Sequence, residues 1–294
     1  MESKQCMFKQ GSIFEVDDPS LVNPEQIWAE IEKEGYCGIW INSPRVGRGD
    51  LIEWIHNLRN KYGGGKISHT HGIIKHYGIG QAPFMWDLRE WLKPLFEKLW
   101  KSTELLCSLD GANYSTYYST SRTKPYNWLH RDQRPEDEDF KMIQGCFQLN
   151  NSGGGLSVVP KSHLIKFQGI KTHSDWFKIP EDFKKGAQIK DLKANHPGQD
   201  ILWLWDSRLW HANHPPKEDE QARHAFYITF APKPKNWTLN KRQKRKRFIE
   251  QGETTSHWPY KLKKNGLPRF YHSPKQGYIP QDAKGEISKP NYPE

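Results

Sequence analysis

The chain of 294 residues carries 44 Lys+Arg and 34 Asp+Glu, a formal net charge of +10, with 35% hydrophobic and 13% aromatic residues. That length supports one large domain or two small ones, with a core that needs no disulfide staple. No apolar run approaches the ~18 residues of a membrane helix, which excludes an integral membrane protein of that kind. Cys6, Cys37, Cys107 and Cys146 form no C-x-x-C pair, which argues against a cysteine zinc site and for reduced thiols. The opening MESKQCMFKQ does not read as a secretory signal, so a cytoplasmic setting is expected.

Asn23-Pro24 reads as an N-cap and first helical position, opening a helix through Glu34 that Gly35 stops. Tyr36–Ile41 reads as a strand. Asp50 is placed as the cap of a second helix, with Leu51, Trp54, Ile55 and Leu58 at helical spacing. A third helix is predicted from about Pro83 to Trp100, and Pro94 inside it predicts a kink or a split. After Thr103 the pattern changes to short segments bounded by Gly, Pro, Asn and Asp: 105–109, 113–120, 142–149, 156–159, 200–205 and 224–230. Several alternate with period 2, as Phe226, Ile228 and Phe230 do, which favours a sandwich or barrel.

Residues 233–294 hold 15 Lys+Arg against 5 Asp+Glu, while the rest of the chain balances. The reading is an α+β protein, mainly β with flanking helices. Residues 1–232 form one domain, with a helical part at 20–102 and a β core at 103–232, and 233–294 form a basic extension. Within the extension, the run Lys241–Arg247 reads as a solvated helix, a nucleic-acid contact or a nuclear-import signal.

The chemistry is concentrated in Trp128-Leu-His130-Arg-Asp132. On an extended strand residues two apart point the same way, so His130 and Asp132 converge. Together they make two thirds of the two-His-one-carboxylate facial triad that holds non-haem iron. A distant strand must supply the second imidazole, and His211 follows the apolar segment Ile201–Trp205. Arg223, on the next strand, can return beside the metal and bind a carboxylate through its guanidinium fork.

The order His130-x-Asp132, His211, Arg223 resembles the phytanoyl-CoA dioxygenase-like family of Fe(II)/2-oxoglutarate oxygenases. Gly153-Gly-Gly-Leu-Ser-Val-Val-Pro160-Lys-Ser162-His163 is similar to that family's G-x-L-x-x-x-P-G-S-H turn, with Lys161 where Gly is frequent. Asp206-Ser-Arg-Leu-Trp-His211 is similar to its distal-histidine motif. The resemblance covers roughly residues 65–232. It implies a double-stranded β-helix (jelly-roll, cupin-like) that binds Fe(II) through His130, Asp132 and His211. The cosubstrates it implies are 2-oxoglutarate and O2, with release of succinate and CO2. Because Asp132 is present, it implies hydroxylation rather than halogenation.

Arg223 is the candidate for the far carboxylate of 2-oxoglutarate; Tyr117, Gln144 and Asn113 are candidates for the near one. Asp206 and Arg208 read as a local turn or salt bridge, and His163 as a turn cap. The cluster His69-Thr-His71 and His76 reads as a loop or lid rather than a second metal site. A small-molecule substrate is expected, with a nucleic-acid oxygenase or nucleic-acid-binding protein using 241–247 as the alternative.

Overall fold

The computed structural model describes residues 7–8, 11–43, 48–62, 71–75, 77–117, 125–172, 174–194 and 198–263. His69 and His76 of the histidine cluster lie outside the described residues, as do 118–124 and the end of the basic extension. The chain divides into two compact units. One comprises Met1–Asn42 and Ser115–Arg223, the other Ser43–Tyr114 and His224–Glu294. Among the described residues the fold is mostly β, with several sheets and few helices, as the strand-rich pattern after Thr103 predicts.

In chain order the early strands are β1 (Met7–Phe8), β2 (Ile13–Val16), β3 (Tyr36–Ile41), β4 (Ile73–Ile74), β5 (Leu105–Cys107) and β6 (Ala112–Ser115). There follow β7 (His130–Arg131), β8 (Ile143–Gln148), β9 (Gly155–Val159), β10 (Phe177–Lys178) and β11 (Lys190–Lys193). The last are β12 (Asp200–Asp206), β13 (Trp210–His214), β14 (Arg223–Tyr227) and β15 (Phe230–Pro232). The first unit sets β1-β2-β3-β12-β8 side by side in one sheet and β10-β7-β13-β9-β11 in another.

Register decides which side chains meet. Trp203 pairs with Cys146 and Trp205 with Gln144 across β12 and β8, so these four share one face. On β13, His211 and Asn213 take one face. Trp210 and Ala212 take the other, in a buried cluster with Leu129, Val159, Phe167 and Ile179. The second sheet is therefore apolar on one side and carries the polar His211 and Asn213 on the other.

Helix α1 (Pro24–Glu34) forms where the sequence predicts it. Asn23 Oδ1 accepts the Gln26 N–H at 3.2 Å, and Ile27 and Ile31 are buried on one stripe. It ends at Gly35 with φ +88°, where the N–H returns to Ile31 O at 2.8 Å. A Cβ there would stand 2.6 Å from both His163 Nδ1 and Leu209 Cδ1, so glycine is required on two grounds. Helix α2 (Arg48–Tyr62) starts two residues before the predicted cap, leaving Asp50 in its first turn, where a carboxylate favours the positive end of the helix.

In the second unit, α3 (Pro83–Trp100) is a single helix with Pro94 inside it, so of the kink or split that the sequence predicts, the split does not occur. Its stripe Leu88, Leu92, Leu95 and Leu99 is fully buried, and that packing outweighs one lost helical bond. Buried Arg89 donates to Gly80 O at 2.8 Å and to Asp110 O at 3.1 Å. The predicted basic helix is present as Leu239–Glu250, capped by Thr238. Part of its charge is structural: Arg245 donates to Cys107 O at 2.9 Å, and Lys244 Nζ lies 5.5 Å over the Phe248 ring. Among the described residues no helix is long and apolar enough to cross a membrane.

Candidate metal centre

Strands β7 and β13 pair with His130 directly opposite His211. Asp132, one turn residue beyond β7, brings its carboxylate between them. His211 Nε2 lies 3.2 Å from Asp132 Oδ2 and His130 Nε2 lies 3.7 Å from Oδ1. The two imidazole centroids are 4.3 Å apart. Among the described residues this is the one set of three such side chains whose ligand atoms converge, all within 4.8 Å of one another. All three residues are buried, at 5%, 8% and 5% exposure for His130, Asp132 and His211.

Both histidines are held the same way. His130 Nδ1 lies 2.9 Å from Trp128 O and His211 Nδ1 lies 3.0 Å from Leu209 O, each the carbonyl two residues earlier. A carbonyl only accepts, so each Nδ1 carries the hydrogen and each Nε2 presents a lone pair. Two lone pairs and a carboxylate aimed at one point suit a divalent cation, and the backbone carbonyls fix ring orientation as outer partners of metal ligands do.

The surrounding turns explain how a two-residue strand holds such a site. The Asp132 N–H donates to Ser207 O at 3.1 Å, the Ser207 hydroxyl to Gln133 Oε1 at 2.7 Å, and the Ser207 N–H to Met142 O at 3.0 Å. The D-S-R turn is thus the dock for the H-x-D turn. Asp206 and Arg208 form the expected local pair, at 2.6 Å. Arg131 points away from the ligands and donates to the carbonyls of Gln133, Arg134 and Asp137, each at 2.9 Å. Burial pulls its guanidinium down to about 10, with the Arg208 charge pushing the same way.

The P-K-S-H turn serves the distal histidine. Ser162 Oγ accepts the Trp210 N–H at 2.8 Å, one residue before His211. His163 Nε2 donates to Glu32 O of α1 at 3.0 Å, so it anchors the turn to a helix end. Its burial lowers the imidazole pKa, which keeps it neutral. Lys161 adopts φ +64°, the left-handed conformation that favours glycine. That accounts for the glycine of the resembled motif and shows that lysine is accommodated there with strain.

The remaining candidates have distinct places. Gln144 donates from Nε2 to Asp132 Oδ2 at 2.8 Å, so it orients a ligand; its Oε1 is buried without a hydrogen-bond partner. Arg223 is 0% exposed. It donates to Asn213 Oδ1 at 2.7 Å and approaches Cys146 Sγ at 3.7 Å, while its Nε has no partner. Glu220, three residues before Arg223, binds Lys193 at 2.6 Å and the Gly154 and Lys217 N–H groups. Burial raises the Glu220 carboxyl pKa, but these bonds outweigh it and hold it at about 2. Tyr117 is half-buried at the last described residue before 118–124. Asn113 belongs to the second unit, where its amide donates to His71 O at 3.0 Å and Tyr227 Oη at 3.3 Å.

Asn213 and Ser162 were not singled out as site residues in the sequence. Asn213 was within reach, since it lies two residues past His211 on the same strand and so on the same face. Nothing local marks Ser162 as the acceptor for β13.

No protein-family model matches the chain. Among curated proteins, Ava biosynthesis cluster protein O of Aspergillus versicolor is 28% identical over 241 residues, 72% of either chain. Among solved structures, EvdMO1 superposes with a TM-score of 0.50 at 14% identity, over 73% of this chain and 51% of its own. The chain thus spans about half the length of EvdMO1. The epimerase SnoN, solved with Fe3+, alpha-ketoglutarate and nogalamycin RO, superposes at TM-score 0.43 and 14% identity, over 72% of this chain and 87% of its own. The protein therefore has a mostly β fold similar to that of EvdMO1 and carries on it a buried His-Asp-His centre suited to a divalent metal ion.

Proposed function

We propose that this protein is an Fe(II)- and 2-oxoglutarate-dependent dioxygenase, built on a double-stranded β-helix, that hydroxylates a small-molecule substrate. The observation that carries the reading is the triad itself: two imidazoles with Nε2 lone pairs and one carboxylate converge, with a buried arginine that has no carboxylate partner among the described residues. Bound iron, with 2-oxoglutarate and O2, would supply oxidative decarboxylation to succinate and CO2 and the oxidising power to attack a C–H bond.

The chain's own residues do the positioning. His130, Asp132 and His211 would hold the metal, and the carbonyls of Trp128 and Leu209 keep both imidazoles in the ligating tautomer. Gln144 holds the Asp132 carboxylate in place. Arg223, aligned by Asn213, would take the far carboxylate of 2-oxoglutarate; a buried cation without a carboxylate partner among the described residues gains strongly from one. A small-molecule substrate for this chain is in keeping with a relative named as a biosynthesis cluster protein.

The test is succinate formation from 2-oxoglutarate by purified protein, with and without added Fe(II). Iron-dependent succinate that disappears in His211→Ala supports the reading. No succinate above the metal-free level across a metabolite library refutes it.

A further inference from the structure

Among the described residues, four of the six exposed large hydrophobic side chains fall between residues 164 and 183: Leu164, Ile165, Trp176 and Phe183. Most of this segment covers the apolar face of the second sheet, where Phe167 packs on Trp210 and Phe177. Trp176 departs from that pattern. Strand β10 pairs with β7, the edge of the sheet beside the metal ligands, with Phe177 opposite Arg131 and Lys178 opposite His130. Continuing that register places Trp176 opposite Asp132. Alternation then sends Phe177 and Arg131 to the Phe167 cluster and Trp176 to the ligand side. The ring positions agree: the Trp176 centroid lies 5.5 Å from His130, while Arg131 lies 5.5 Å over Phe167.

An indole that is 38% exposed, immediately before the edge strand of a sheet and beside a buried metal ligand, is an unusual use of a large apolar side chain. Trp128 also lies against the same imidazole, with ring centroids 4.6 Å apart and planes tilted by 35°. We propose that Trp176 is a substrate-positioning residue whose exposed indole face stacks on a planar aromatic ring of the substrate at the rim of the metal centre. This rests on the dioxygenase reading for the identity of the site, and it names the substrate class that the reading leaves open. Stacking on Trp176 selects a flat ring over a saturated ring of the same size, because the saturated ring cannot offer its face to the indole.

The probe pair is 2-naphthol and decahydro-2-naphthol, which share a carbon skeleton and a hydroxyl but differ in planarity. Affinity for each is measured by equilibrium titration, without metal and with Mn(II). Proton relaxation by Mn(II) then reports whether the probe lies beside the metal. Wild type is expected to prefer 2-naphthol by roughly 2–10-fold, the range of aromatic pairing, with its ring protons relaxed by Mn(II). Trp176→Ala should lose that preference, Trp176→Phe should keep part of it, and both should bind Mn(II) as wild type does. Equal affinity for the two probes, no binding of 2-naphthol, or a preference unchanged in Trp176→Ala would overturn the proposal. A Trp176-dependent preference in a protein that fails to bind Mn(II) would uphold the platform and sink the dioxygenase reading instead.

Discussion

Arg223→Met is the perturbation whose sign depends most on how the buried guanidinium is read. If Arg223 were an ordinary structural arginine, its removal would break a buried ion pair and cost about 3–5 kcal/mol. The structure predicts otherwise, since the group is fully buried and its one oxygen partner among the described residues is the neutral Asn213. Removing it forfeits a charged hydrogen bond of about 1.5–3 kcal/mol. It also removes a buried charge whose desolvation costs several kcal/mol. The balance leaves the metal-loaded variant within about 2 kcal/mol of wild type, on the more stable side. In wild type, 2-oxoglutarate at 100 times its Kd should add about 2.7 kcal/mol. For a chain of this size that is roughly 5 °C in Tm, at about 2 °C per kcal/mol. Thermal denaturation with Mn(II), with and without 2-oxoglutarate, measures both quantities. The variant should show no 2-oxoglutarate shift while keeping its Mn(II) shift, because the triad is untouched. A loss of 3 kcal/mol or more without 2-oxoglutarate, or a retained cosubstrate shift, would refute this account of Arg223.

Gln144→Leu keeps the volume but removes the hydrogen bond to Asp132, and Mn(II) affinity should fall about 10–100-fold, as for other outer partners of metal ligands; unchanged affinity by titration would deny Gln144 that role. Lys161→Gly relieves a left-handed residue at a cost of about 1–2 kcal/mol, against about 0.5–1 kcal/mol of extra chain entropy. Denaturant unfolding should therefore show it neutral or up to about 1 kcal/mol more stable, and a clear loss would mean that the ion pair of Lys161 Nζ with Glu34 at 3.8 Å or the side-chain stem matters more. Glu220 has its folded pKa lowered to about 2, so its stabilisation is complete above the unfolded value of about 4.3 and is lost as pH falls from there through 2. The urea-midpoint gap between wild type and Glu220→Gln should accordingly shrink between pH 6 and pH 2.5; a constant gap contradicts the assignment.

The local elements and the ligand set were legible because they rest on short-range rules. Asn23-Pro24 and Gly35 delimit α1 through capping and left-handed geometry, which neighbouring residues decide by themselves. His130 and Asp132 are two apart, and the period-2 rule needs no tertiary knowledge to aim them together. What the sequence left open depends on contacts between distant segments. Pro94 stays inside one helix because a buried leucine stripe outweighs a local penalty. Gln144 donates to the Asp132 carboxylate because the two sheets of the first unit bring β8 against the H-x-D turn. Ser162 accepts from Trp210, the residue before His211, across 48 residues of sequence. Trp176 reaches His130 only through the pairing of β10 with β7. Residue type and spacing determine which groups can ligate; only long-range strand pairing, whose cost in chain entropy must be met by packing elsewhere, decides which other side chains stand beside them.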